Sequence, residues 1–245
     1  LLGQLIKSGS PYVASTALRE VASRQGKASL PMLISAYKDG NRRVQGAALA
    51  AMGQLKDPST TKLLVEAARS GQWNLASPAI NALASMGGPK ASATLIDLFK
   101  NGNRNTRSSA AYALGNLGTA EARDALIKAL KDPDNARTSY QLTYALGRMK
   151  DAKTSEALVR LLDDSSLKPN VKQSVVQALG HSNNVAALQK AAGHHDAKVA
   201  NTALQQLGRK GGPAAQAVLL RALNTGDDAR KNVAIQALGK LGTPK

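Results

Sequence analysis

Between Asn103 and Gly118 the chain reads NRNTRSSAAYALGNLG. Ala110, Ala111, Ala113, Leu114 and Leu117 recur at intervals of three and four, so they gather on one side of a helix with polar residues opposite. Asn103 is placed to cap the first turn, because its side-chain oxygen can accept from backbone N–H groups that have no intrahelical partner. Gly118 is placed to end the helix in a left-handed conformation. The pattern predicts one amphipathic helix, and the chain contains it in variant form eight times.

With Gly115 as the reference position, the counterparts are Ala22, Gly53, Ala84, Gly147, Gly180, Gly208 and Gly239, spaced 31, 31, 31, 32, 33, 28 and 31 residues apart. The aligned columns hold the register. One residue before the reference stand Val21, Met52, Leu83, Leu114, Leu146, Leu179, Leu207 and Leu238. Four before stand Leu18, Leu49, Ile80, Ala111, Thr143, Val176, Leu204 and Ile235. The column five before is mostly alanine, and twelve before stand the expected caps Ser10, Asn41, Gln72, Asn103, Asn135, Lys168, Asp196 and Asp227. A second amphipathic segment precedes each such helix after the first: 29–37, 60–69, 91–100, 119–130, 154–162, 185–192 and 214–222. Each unit is therefore helix A, turn, helix B, turn. One unit alone cannot bury its apolar side, and stacking neighbours closes the core. Pro78 falls inside a B helix, where it is expected to kink it.

The series ALGNLG at 113–118, YALGRM at 144–149, QALGHS at 177–182 and QALGKLG at 236–242 resembles the HEAT repeat, in the short form found in phycobilisome lyases and bacterial scaffold proteins. The resemblance covers almost the whole chain. It implies an all-α fold, a right-handed α–α superhelix of about seven and a half helix pairs forming a single solenoid over residues 1–245, with the B helices lining its concave side. The ends lack polar capping helices and the chain opens inside a helical pattern, so further repeats are expected to flank it. The family spans scaffolds, nucleic-acid binders and a few enzymes, so the resemblance implies a fold more than a function.

Composition narrows the partners. Lys and Arg number 33 against 16 Asp and Glu, a formal net charge of +17, which favours contact with nucleic acid, anionic lipid or an acidic protein. No run of about 18 apolar residues exists, so no membrane span is expected. There is no cysteine, which excludes thiolate chemistry. Low glutamate and absent cysteine suit an exported bacterial protein and a basic cytoplasmic binder equally.

The positions facing away from the predicted core are those 10, 7 and 3 before the reference and 1 after it. The first column reads Tyr12, Arg43, Asn74, Asn105, Arg137, Asn170, Lys198, Ala229, and the second Ser15, Gly46, Ser77, Ser108, Tyr140, Gln173, Asn201, Asn232. The third reads Arg19, Ala50, Asn81, Tyr112, Tyr144, Gln177, Gln205, Gln236, and the fourth Ser23, Gln54, Ser85, Asn116, Arg148, His181, Arg209, Lys240. These 32 positions hold seven Lys or Arg, four of the five tyrosines and no acid. Amides carry both donors and acceptors and can read an extended backbone, while the cations attract carboxylate or phosphate. The expected partner-binding residues are Arg43, Asn74, Asn105, Arg137, Asn170, Lys198, Tyr112, Tyr144, Gln177, Asn116, Arg148 and Arg209, with Trp73 at the rim as an anchor.

The function expected is a non-enzymatic scaffold holding an extended acidic segment of a protein in a basic, amide-rich groove. Nucleic-acid binding through phosphate contacts at the same groove is the alternative, and a lyase- or chaperone-like role in cofactor attachment a third. No cofactor or metal is expected. His194 and His195 are adjacent, so on a regular element they point apart, and Asp196 is assigned as a cap. No G-x-S-x-G element or phosphate-binding glycine loop is present. Lone Trp73, followed one turn later by Ser77, departs from the tryptophan and aspartate arrangement of HEAT-like DNA glycosylases. The basic column eight before the reference, with Arg107, Lys172 and Lys231, resembles the basic position of the HEAT motif, which implies pairing with acids of adjacent units.

Overall fold

A computed structural model describes residues 10–132, 135, 138–182 and 184–241. The B helices are α1 (Pro11–Gln25), α3 (Arg42–Leu55), α5 (Trp73–Met86), α7 (Arg104–Leu117), α9 (Ser139–Arg148), α11 (Pro169–His181), α13 (Ala197–Lys210) and α15 (Asp228–Leu241). The A helices are α2 (Leu30–Asp39), α4 (Thr61–Arg69), α6 (Gly88–Asn101), α8 (Ala120–Lys131), α10 (Ala152–Leu162), α12 (Val185–Ala192) and α14 (Pro213–Thr225). No strand occurs among the described residues. The chain forms two compact units, Leu1–Ala122 and Arg123–Lys245.

In the first unit α1, α3, α5 and α7 pack side by side, and α2, α4 and α6 each pack on the B helix that follows. In the second unit α9, α11, α13 and α15 form the row, with α10, α12 and α14 laid against it. The apolar columns fill the space between. Leu18, Leu49, Ile80, Val176 and Leu204 are fully buried, as are Met52, Leu83, Leu114, Leu146, Leu179 and Leu207. Burying each such side chain stabilises the stack by roughly 1.5–3 kcal/mol. Ile235 departs from its column: it is 55% exposed, and among the described residues no helix packs on that side of α15.

Close packing of neighbouring B helices explains the reference glycine. A Cβ on Gly53 would sit 2.5 Å from the Cα of Ala82, and one on Gly208 would sit 2.7 Å from the Cβ of Ala237. Both contacts pair a reference glycine with the alanine two residues before the next reference position. Gly46 opens room of another kind. Pro78 cannot donate to the Asn74 carbonyl four residues back, and a Cβ on Gly46 would lie 3.1 Å from that carbonyl oxygen. α5 runs as one helix across Pro78.

The caps hold at Asn41, Asn103, Asp196 and Asp227, each accepting from first-turn N–H groups. Ser10, Gln72 and Lys168 occupy the cap position without a side-chain cap bond. Asn135 is a correction. It is buried in the turn, where its Nδ2 donates to the Ala129 carbonyl, and α9 starts only at Ser139. Gly118 terminates α7 at φ 66°, its N–H donating to the Leu114 carbonyl.

Polar ties about one repeat apart in sequence join neighbouring repeats within each unit. They are Lys27–Asp57 (3.1 Å), Arg69–Asp97 and Lys131–Asp164 (2.6 Å). Hydrogen bonds from Ser59, with help from Lys27, hold the Asp57 carboxyl at about 2. Lys131, then Ser166, do the same for Asp164, also at about 2.

Candidate binding face

The four polar columns lie on the side of the B helices turned from the core. The columns three before and one after the reference are exposed on every rung except Tyr144, which is half-buried. The column seven before sits half-buried in the joints between B helices, with Tyr140 and Asn232 exposed.

Arg43, Asn105, Tyr112 and Asn116 of the first unit are exposed as expected. Asn74 is half-buried, and its Nδ2 is buried without a hydrogen-bond partner. It stands where Pro78 and Gly46 disturb the joint, so it serves packing more than reach. Trp73 is 64% exposed at the first residue of α5, on the edge formed by the A-to-B turns rather than in the columns. Asn170, Gln177, Lys198, Arg148 and Arg209 of the second unit are exposed. Arg137 lies outside the described residues.

One grouping within the second unit was not on the expected list. Tyr144 packs edge-on against His181 with ring centroids 5.4 Å apart, and against Tyr140 at 6.3 Å. The three rings bridge α9 and α11 and form an aromatic patch. Tyr140 and Tyr144 share a face at spacing four, a signal legible in the sequence. His181 joins them only through packing of the next repeat.

The histidine pair corrects another expectation. His194 and His195 lie in the turn between α12 and α13, where helical geometry does not part them, and their rings stack at 4.1 Å. Ligand atoms of Asp163, His194 and His195 fall within 4.8 Å of one another. His194 Nδ1 accepts the Asp196 N–H at 2.9 Å, and Nε2 lies 3.2 Å from Asp163 Oδ1. In the neutral ring the proton therefore sits on Nε2 and is donated to Asp163, so Nδ1 holds the local turn and Nε2 makes the bond to the preceding repeat. Asp196 is held below the usual carboxylate range chiefly by the Val199 N–H, with Lys172 of the basic column the smallest influence. Arg107 lies over the Phe99 ring at 5.9 Å.

The HEAT-repeat family profile matches residues 1–77, 64–146, 94–180 and 167–239. The chain belongs to the HEAT-repeat family. No curated protein sequence matches it. Among solved structures it is similar to the complex of CpcE and CpcF of phycocyanin lyase from Nostoc sp. PCC7120, at 18% identity and TM-score 0.47 over 98% of this chain and 92% of that one. It is also similar to human deoxyhypusine hydroxylase in complex with glycerol, at 17% identity and TM-score 0.42 over 98% and 94%. The archaeal HEAT-like repeats protein from Thermococcus onnurineus NA1 matches at 14% identity and TM-score 0.38 over 98% and 95%. HEAT repeats supply a scaffold, and what a given array does rests on its surface residues. No helix among the described residues is long and apolar enough to cross a membrane.

Proposed function

We propose that the chain is a non-enzymatic scaffold that holds an extended, acid-bearing segment of a partner protein on the B-helix face of its second unit. The observation that carries this reading is the exposed, acid-free set Asn170, Gln177, Lys198, Gln205, Arg148 and Arg209 around the Tyr140–Tyr144–His181 patch. The amides satisfy the backbone of an extended segment, the cations draw its carboxylates, and the aromatic patch takes an apolar side chain. Packed helices lie about 8–10 Å apart and an extended chain advances about 3.3 Å per residue, so each repeat meets roughly every third residue of the partner.

The test is anisotropy with a fluorescein-labelled peptide of about twelve residues bearing glutamate at every third position. Saturable binding is expected, weakened about tenfold or more when Arg148→Glu and Arg209→Glu are combined. Unchanged affinity and salt dependence in that variant removes the reading. Displacement of the peptide by generic oligonucleotide from this face would transfer it to nucleic acid.

A further inference from the structure

A different surface of the first unit carries charge that the binding face does not use. It is the edge made by the A-to-B turns and the first turns of α1, α3, α5 and α7. Arg42, Trp73 and Arg104 occupy the same register position, eleven before the reference, on three successive B helices. All three are exposed, Trp73 by 64%. Tyr12 stands beside this line at the start of α1, 69% exposed. Lys38 and Lys100 flank it, also exposed.

Little on this edge neutralises those cations. Among the described residues no ion pair engages Arg42 or Arg104. The nearby acids are Asp39, whose carboxylate accepts from Ser35, and Asp97, which is taken by Arg69 and Asn101. None of the four B helices carries an acid in its first turn, and their cap positions hold Ser10, Asn41, Gln72 and Asn103, all neutral. Neutral caps leave the partial positive charge of each helix start uncancelled, which adds to the field of the arginines.

We infer that this edge binds single-stranded nucleic acid, with Arg42 and Arg104 on phosphates and one base stacked on Trp73. Neighbouring B helices lie about 8–10 Å apart, so the line alternates guanidinium, indole, guanidinium over roughly 20 Å. That is the combination single-strand sites use, a cationic track for the backbone with aromatic platforms for the bases. A duplex offers no free base face to an exposed indole, so the single strand is favoured. The arginine fork matches phosphate oxygens in a way that a lysine point charge does not. This site is separate from the face proposed for a protein segment and shares neither Arg148 nor Arg209 with it.

Trp73 is the only tryptophan of the chain, so its emission reports directly on stacking. The experiment titrates the full chain with an oligothymidylate of about twelve nucleotides, following tryptophan quenching and the anisotropy of a labelled copy, between about 50 and 200 mM salt. Saturable quenching is expected, with an affinity falling steeply in salt, by about 0.7 log units per log unit of salt for each phosphate engaged. Combined Arg42→Glu and Arg104→Glu should weaken binding about tenfold or more and flatten the salt slope. Trp73→Ala should weaken it about tenfold at unchanged salt slope, and Trp73→Phe should retain most of the affinity. These side chains are exposed, and circular dichroism checks that each variant keeps its helix content. Three results overturn the inference: no binding at low salt, binding that leaves Trp73 emission unchanged, or binding lost with Arg148→Glu and Arg209→Glu but kept with Arg42→Glu and Arg104→Glu. Quenching of Trp73 by a glutamate-rich peptide that displaces the oligonucleotide would overturn it as to partner class.

Discussion

The two units share one repeat and deploy it differently. In the first, the A-to-B edge is basic, with neutral caps and Arg42 and Arg104 free of ion pairs among the described residues. Its B-helix face carries small residues at the joints, Ser15, Gly46, Ser77 and Ser108. In the second, the same edge is rich in aspartate, with Asp163, Asp164, Asp196 and Asp227 engaged in ties between repeats or in caps. The cations and the larger side chains there move to the B-helix face, as Arg148, Lys198, Arg209 and the Tyr140–Tyr144–His181 patch. The core columns fix where each helix lies, so the remaining positions are free to take any charge. An acid at a helix start stabilises that helix and cancels the local positive field, and a neutral cap leaves that field for a ligand. Stability and anion recognition therefore compete for the same few positions, and the two units settle the competition in opposite ways.

If only the surfaces differ, the cores must respond alike. Leu49→Ala in the first unit and Leu204→Ala in the second occupy one column and are both fully buried. Each should cost about 2–5 kcal/mol, read as a shift in the urea midpoint. Ile235→Ala, in the same column but 55% exposed, should cost well under about 1 kcal/mol. A large difference between Leu49→Ala and Leu204→Ala would mean that the units differ in packing as well as in surface.

The reference glycines give a smaller and more local contrast. Gly53→Ala and Gly208→Ala each drive a methyl into the next B helix, and overpacking of this kind typically costs about 1–3 kcal/mol. Gly239→Ala meets nothing within 4 Å and should instead gain up to about 1 kcal/mol from helix propensity. Gly180 faces the Gln206 amide, the end of a flexible side chain, so its alanine variant should fall between these. Thermal unfolding of the four variants tests the order, and a stabilised Gly53→Ala would overturn the account of the joint.

The mildest contrast is with pH. Asp57 in the first unit and Asp164 in the second are both held at about 2, below the ordinary 3.8. A depressed carboxyl contributes stability that is complete above the unfolded value and is lost as pH falls through the folded value. Stability should thus decline between about pH 4 and pH 2, with both ties contributing. Asp164→Asn should lower stability at neutral pH and flatten that decline, and an equally steep decline in this variant would remove Asp164 from the explanation.

Most helix positions were legible in the sequence. The period, the apolar columns and the A-helix segments appear in the structure within a few residues, with 185–192 matched at both ends. Asn135 was misread because a regular spacing was extended across a turn, where the chain instead folds back so that the amide holds the Ala129 carbonyl. The histidine pair was misread for a related reason, since helical geometry does not govern a turn. The exposed columns were legible because a polar residue on the face opposite an apolar stripe has no partner to hide against. Tyr140 and Tyr144 were visible there too, yet their meeting with His181 was not.

What the sequence determined by itself is everything set by local periodicity: the helices, their register, the buried columns and the family. Local pattern suffices for these because one helix side must be apolar wherever the next repeat covers it. What only the tertiary structure decided are the contacts between residues about one repeat apart. They include the Gly53–Ala82 approach, the Tyr144–His181 pair and the bond from His194 to Asp163. Such contacts depend on how far one helix pair slides and turns against the next, and side-chain shape at the joint sets that displacement.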